Sequence, residues 1–266
     1  MMSKDLERNV ALVTYGNLFL QGQGAEFDID TLTTYNCYQL DFIEPPIEGI
    51  AGSTKILAKN ALQWFKYLKE QGAKRLRLYY QSSNKTELPD HISVAFLGGG
   101  SHWLIEVQCE GTSELYFSNW IPPLNSGMDT RKAHYVWIEK NMSHLRETSP
   151  SINDSRKRLQ TILEKLSEFA GKFEHSKHWV SNFESSLTTL LEFIPQADDE
   201  FLPAGIYSKD AHQLIIGAFA SWVFGGMGSW NDLVFNEADQ EHYEALSENL
   251  YSAICEAIVS GVNSYP

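Results

Sequence analysis

Apolar and polar residues recur with two different periods along the chain, and the change between them falls near residue 150. Between residues 74 and 140 the period is two. Leu76, Leu78 and Tyr80 alternate with Arg75, Arg77 and Tyr79, and Trp103, Ile105 and Val107 alternate with His102, Glu106 and Gln108. Successive side chains of a strand point to opposite faces, so the spacing predicts strands over 75–81, 91–97, 102–109, 114–121 and 132–139. An earlier strand is predicted over 35–42, with Tyr38, Leu40 and Phe42 on one face and Pro45-Pro46 as its end. The apolar runs at 10–13 and 18–20, on either side of Gly16-Asn17, read as two short strands joined by a turn, followed by a loop over 21–30.

One helix is predicted in this first part, over 53–71, with Ser53 or Thr54 as N-cap and Gly72 as its stop. Leu57, Ala61, Trp64, Phe65 and Leu68 form its apolar stripe, with Lys55, Lys59, Lys66 and Lys69 opposite. Past Pro150 the period lengthens and predicts helices over 153–171, about 177–193, 208–224 and 237–261. Pro195, Pro203 and Gly225-Gly226-Met227-Gly228 punctuate them.

Strands first and helices last indicate an α+β fold: a mostly antiparallel sheet with one covering helix in residues 1–150, then about four helices in residues 151–266. The short connections between strands favour hairpins. A single helix is too little cover for so aromatic a sheet, so the two parts are expected to pack as one folded unit.

Composition adds constraints. A 266-residue chain with 43% hydrophobic residues can bury a core without metal or disulfide. Cys37, Cys109 and Cys255 form no C-x-x-C pair, which points to a reducing compartment. The mixed-charge start and a longest apolar stretch of only 214–224 indicate a cytoplasmic protein that does not enter a membrane.

Charge changes the picture most. The net charge is −13, and past Lys209 there is no Lys or Arg at all. On the last predicted helix Glu237, Glu241, Glu244 and Glu248 share one face, opposite Leu246, Leu250, Ala253, Ile254 and Ala257. Like charges at this spacing repel by a few tenths of a kcal/mol per pair, about 0.2–0.5, and no cation on that helix relieves them. Just upstream, Trp222, Phe224, Met227 and Trp230 flank a glycine-rich turn that ends at Asp232. Trp230, Asp232 and the four glutamates are therefore the expected surface for a basic protein partner, the aromatic serving as anchor. Nucleic acid is disfavoured as a partner: Lys55, Lys59, Lys66, Lys69, Lys74, Arg75 and Arg77 make a basic stretch, but overall charge opposes it and no basic-aromatic recognition pattern accompanies it.

Candidate chemistry is sparse. His102 and Glu106 share a strand face near His134, without a nucleophile or oxyanion element tied to them. His175 and His178, beside Glu174 and ahead of Asp198, Asp199 and Glu200, match no strong metal motif. Gly98-Gly99-Gly100 and the 225–228 turn lack the Lys-Ser/Thr ending of a phosphate loop. No catalytic residue, metal or cofactor is assigned on this basis. The expected function is binding of a basic protein, one form being an immunity protein that neutralises a cationic toxin such as a nuclease. The rivals are a motif-poor hydrolase or transferase built on His102, Glu106, His134 and Asp232, and a self-associating structural protein. In the latter the basic helix of one copy meets the acidic helix of another in a homodimer.

Overall fold

The computed structural model describes residues 4–23, 37–45, 55–82, 89–94, 102–121, 131–145, 150–194, 202 and 205–265. Among these the fold is α+β, a six-stranded mixed sheet with helices gathered in the C-terminal part. In chain order the elements are α1 (Lys4–Leu20), β1 (Cys37–Ile43), β2 (Ile56–Ala58), α2 (Ala61–Glu70), β3 (Arg75–Gln81), the single-turn α3 (Asp90–Ser93), β4 (His102–Gln108), β5 (Ser113–Ile121) and β6 (Arg131–Met142). Then follow α4 (Ile152–Gly171), α5 (Trp179–Glu192), α6 (Lys209–Ala220), a 3-10 turn at Trp230–Asp232 and α7 (Glu237–Asn263). The sheet order is β2-β1-β6-β5-β4-β3. The pairs β3–β4, β4–β5, β5–β6 and β1–β2 are antiparallel, and β1–β6 is parallel.

Three expectations are corrected. The runs at 10–13 and 18–20 are not strands but lie within α1. Val10, Ala11, Leu12 and Val13 are all fully buried, so this stretch of helix has no wet face, and a short unbroken apolar run carries no period to tell helix from strand. Gly16 is not a turn residue. It is where α1 crosses β3, and a Cβ there would lie 2.2 Å from a Leu76 methyl carbon. The helix predicted from residue 53 begins at Ala61, capped by Asn60, whose side chain accepts from the Gln63 N–H. Residues 56–58, which continue its stripe by chance of spacing, instead form β2 and pair with β1. Finally, residues 91–93 lie in the single turn α3 and not in a strand, while 95–97 and the 98–100 glycines lie outside the described residues.

The inner face of the sheet packs on α1 and α2 through aromatics. Phe42 stacks on Trp64 at 4.3 Å and on Tyr135 at 5.1 Å, and Tyr116 meets Trp64 edge-on at 5.2 Å. Burial pushes the Tyr116 phenol far up, with the nearby Glu114 carboxylate adding to the shift.

The edge strand β3 is closed in an unusual way. The Asn17 side chain, from α1, donates to the Leu76 C=O at 2.9 Å and accepts from the Leu76 N–H at 2.7 Å. Two residues on, the Asn263 side chain, from the end of α7, does the same for Leu78 at 2.8 Å each way. Each amide imitates one residue of a neighbouring strand, so the edge groups of Leu76 and Leu78 are paired without a seventh strand. Arg75 adds bonds to the Asn263 and Tyr265 carbonyls. The last turn of the chain is thus fastened to the sheet.

All four C-terminal helices stand close to their predicted spans. Ser151, Ser208 and Asn236 cap α4, α6 and α7 with side-chain oxygens. Gly217 lets α6 meet α5 closely, since a Cβ there would fall 2.7 Å from the Leu190 Cα. Among the described residues no helix is long and apolar enough to cross a membrane.

Candidate interaction surface

The N-terminal half of α7 separates its faces sharply. Tyr243, Leu246, Ser247 and Leu250 are buried, and Glu237, Glu241, Glu244 and Glu248 are exposed. Among the described residues Glu248 is the one of the four that meets a basic side chain: it accepts from Nδ1–H of the buried His91 at 2.7 Å. Glu244 accepts from its neutral neighbour Gln240 at 2.9 Å. Among the described residues no Lys, Arg or His lies within ion-pair distance of Glu237, Glu241 or Glu244, so their mutual repulsion stands unrelieved.

The glycine-rich segment before α7 is built around Trp230, and here an expectation fails. Trp230 has no exposed surface. Its ring meets Trp179 at 5.7 Å and Phe183 at 5.1 Å, both edge-on, its Nε1–H donates to Ser247 Oγ at 2.8 Å, and its carbonyl accepts from the Tyr243 hydroxyl at 2.6 Å. A ring so enclosed is a core residue joining α5 to α7 and is no anchor for a partner. Asp232, by contrast, is exposed, and its carboxylate accepts from the Gly228 N–H. That bond holds the turn, where Gly228 has φ of +87°, a left-handed conformation suited to glycine. Met227, at the tip, is fully exposed. Asn231 donates to the His91 carbonyl at 2.8 Å, so the turn, α3 and Glu248 are linked in sequence.

Beside this turn runs a groove of about 380 Å³ that sequence reasoning missed. Trp179 and Asn182 of α5 form one side, and Trp222, Met227 and Ser229 the other. Its walls lie some forty residues apart in sequence, and no local spacing signals their meeting.

Among the described side chains, those of the enzymatic reading do not converge. Glu106 is buried, accepting from Ser113 Oγ at 2.7 Å and from the Leu145 N–H at 2.9 Å, with Arg77 at 3.8 Å. Ser113 stands between Glu106 and His144, whose Nδ1 is 2.7 Å from the same hydroxyl. A carboxylate only accepts, so the hydroxyl proton points to Glu106 and the imidazole donates, the reverse of an activated serine. Ser113 is also fully buried, beyond reach of a substrate. This trio fastens the end of β6 to the β4–β5 hairpin. His102 is exposed against Phe117, and Asp232 belongs to the helical part. His134 occupies a β6 position paired with Asp41 of β1, and its side chain lies outside the described residues. A cleft of about 220 Å³ between β3 and α7 holds Arg77, Glu106 and Glu256, its last carboxylate already paired with Arg158.

His175 packs on Phe235 at 4.8 Å and His178 beside Trp179, while 198–200 lie outside the described residues. Among the described residues no three His, Cys, Asp or Glu side chains gather as a metal site. The Lys55, Lys59, Lys66 and Lys69 side chains are exposed, with Lys55 bonded to Glu44.

Family models, curated proteins and solved structures were all compared with the chain, and none matches. The surface must therefore be interpreted from its own geometry. Asp232 and the glutamate face carry exposed charge, and the groove has the exposed Met227 on its wall.

Proposed function

We propose that this chain is a binding protein for a basic protein, and that the outer face of α7 together with Asp232 is its contact surface. The observation that carries the reading is the exposed run Glu237, Glu241 and Glu244, with no cation at ion-pair distance among the described residues. Such a run costs a little stability in the free chain, and a cationic partner turns that cost into attraction, chiefly by speeding encounter. A concrete form is an immunity protein that masks a cationic toxin, such as a nuclease, in the cytoplasm of the producing cell. The free thiols of Cys109 and Cys255 support a reducing compartment.

The test compares the immobilised wild-type chain with a variant carrying Gln at 237, 241, 244 and 248, each exposed to native-cell extract at low salt. The wild type is expected to retain a basic protein that the variant loses and that salt elutes. In the immunity form, stoichiometric addition of the wild type also silences that protein's own activity. Equal retention by both chains would count against the acidic face.

A further inference from the structure

We infer that the groove beside the 225–228 turn receives an arginine or lysine side chain of the basic partner. This rests on the function proposed above and specifies how the partner is gripped. Two indoles line the groove, the half-buried Trp222 and the edge of the mostly buried Trp179, so it offers a strip of aromatic surface against which a cation and its methylene stem can lie. Its remaining walls are polar as well as apolar: the Asn182 side chain is exposed there, and Ser229 Oγ spends its proton on the Gly225 carbonyl at 3.1 Å, leaving the oxygen as an acceptor. A purely aliphatic occupant would leave those polar groups without water or partner.

The surrounding charge selects the sign. Asp232 is fixed to the turn by its bond to Gly228, one residue from Met227 on the groove wall. The acidic face begins five residues on, at Glu237, and the Tyr243 phenol, raised first by burial, is raised further by both Asp232 and Glu244. Carboxylates that act on one phenol also act on an arriving cation within the Debye length of about 8 Å at physiological salt. At Gly226 a Cβ would meet nothing within 4 Å, so the turn leaves open space beside the groove.

The test uses the full isotope-labelled chain and three short repeat peptides, Arg-Gly, Lys-Gly and Gln-Gly, followed through the indole N–H resonances. The Arg-Gly or Lys-Gly peptide is expected to shift the Trp222 and Trp179 indoles, and Gln-Gly to leave them in place. Asn182→Arg, at an exposed position, should place a guanidinium in the groove and weaken the indole response about fivefold, with the melting temperature unchanged. The variant with Gln at 237, 241, 244 and 248 should bind more weakly yet reach the same indole shift at saturation. If the cationic peptides shift only α7 resonances, or if Asn182→Arg changes nothing, the groove inference fails and the acidic face survives. An equal indole shift from Gln-Gly overturns the preference for a cation, and silence from every resonance overturns both readings.

Discussion

Trp230→Ala is expected to destabilise the chain by about 3–5 kcal/mol, the range for removing a large aromatic from a packed core. The ring is fully buried, meets Trp179, Phe183 and Tyr243, and gives its only N–H to Ser247. Truncation leaves a cavity at the junction of α5 and α7 and removes the partner of a buried hydroxyl. None of the three rings can fill the space easily, because all are themselves held in the same aromatic cluster. Urea denaturation followed by circular dichroism should show the loss as a lower midpoint with little change in slope. A variant as stable as the wild type would show that the ring is not part of the core and would return it to the partner surface.

The second large effect is expected at the edge of the sheet. Asn17→Ala and Asn263→Ala each remove a side chain that bonds both the N–H and the C=O of one β3 residue. Both asparagines are almost fully buried. Leaving a buried backbone group unpaired costs about 1–3 kcal/mol, so each substitution should cost roughly 2–4 kcal/mol, allowing for partial rescue by water. The double variant presents a bare strand edge and should also self-associate, because unpaired edge groups are a template for another strand. Denaturation curves and sedimentation velocity check the two parts. A stable, monomeric double variant would show that the amides are incidental. For the same reason residues 1–150 expressed alone, deprived of Asn263, are expected to give an aggregating or molten product, and a soluble fragment that melts cooperatively would contradict this.

How much of this was legible in the sequence depended on whether an element keeps two distinct faces. Strands β3 to β6 alternate because one side of the sheet is more deeply covered than the other, and α4 to α7 carry caps and stripes, so both sets were readable. In α1 the run from Val10 to Val13 is enclosed completely, which erases the helical period. The Asn17 side chain could not be foreseen as a strand-edge partner, because its meaning comes from Leu76, which lies far along the chain. The parallel β1–β6 pairing was equally hidden, since period alone does not set strand direction. The glutamate face follows from helical geometry and was legible. Trp230 was misplaced because an aromatic beside a glycine turn is equally suited to a core or an interface, and only packing decides.

If the acidic face of α7 draws in a basic partner, the association rate should depend on salt through these glutamates. Charge on exposed side chains acts mainly on encounter, and affinity within one interface varies mostly through dissociation. With the partner recovered from the native cell, the wild-type chain should associate quickly at low salt and slow steeply as salt is added. The variant with Gln at 237, 241, 244 and 248 should associate slowly with a nearly flat salt dependence, while a variant with Gln at 237, 241 and 244 alone, which keeps the Glu248–His91 contact, should hold or raise the melting temperature because the repulsion is reduced. An unchanged rate and an unchanged salt slope in the variant with all four replaced would contradict the account and leave the four glutamates as a solvated helix face.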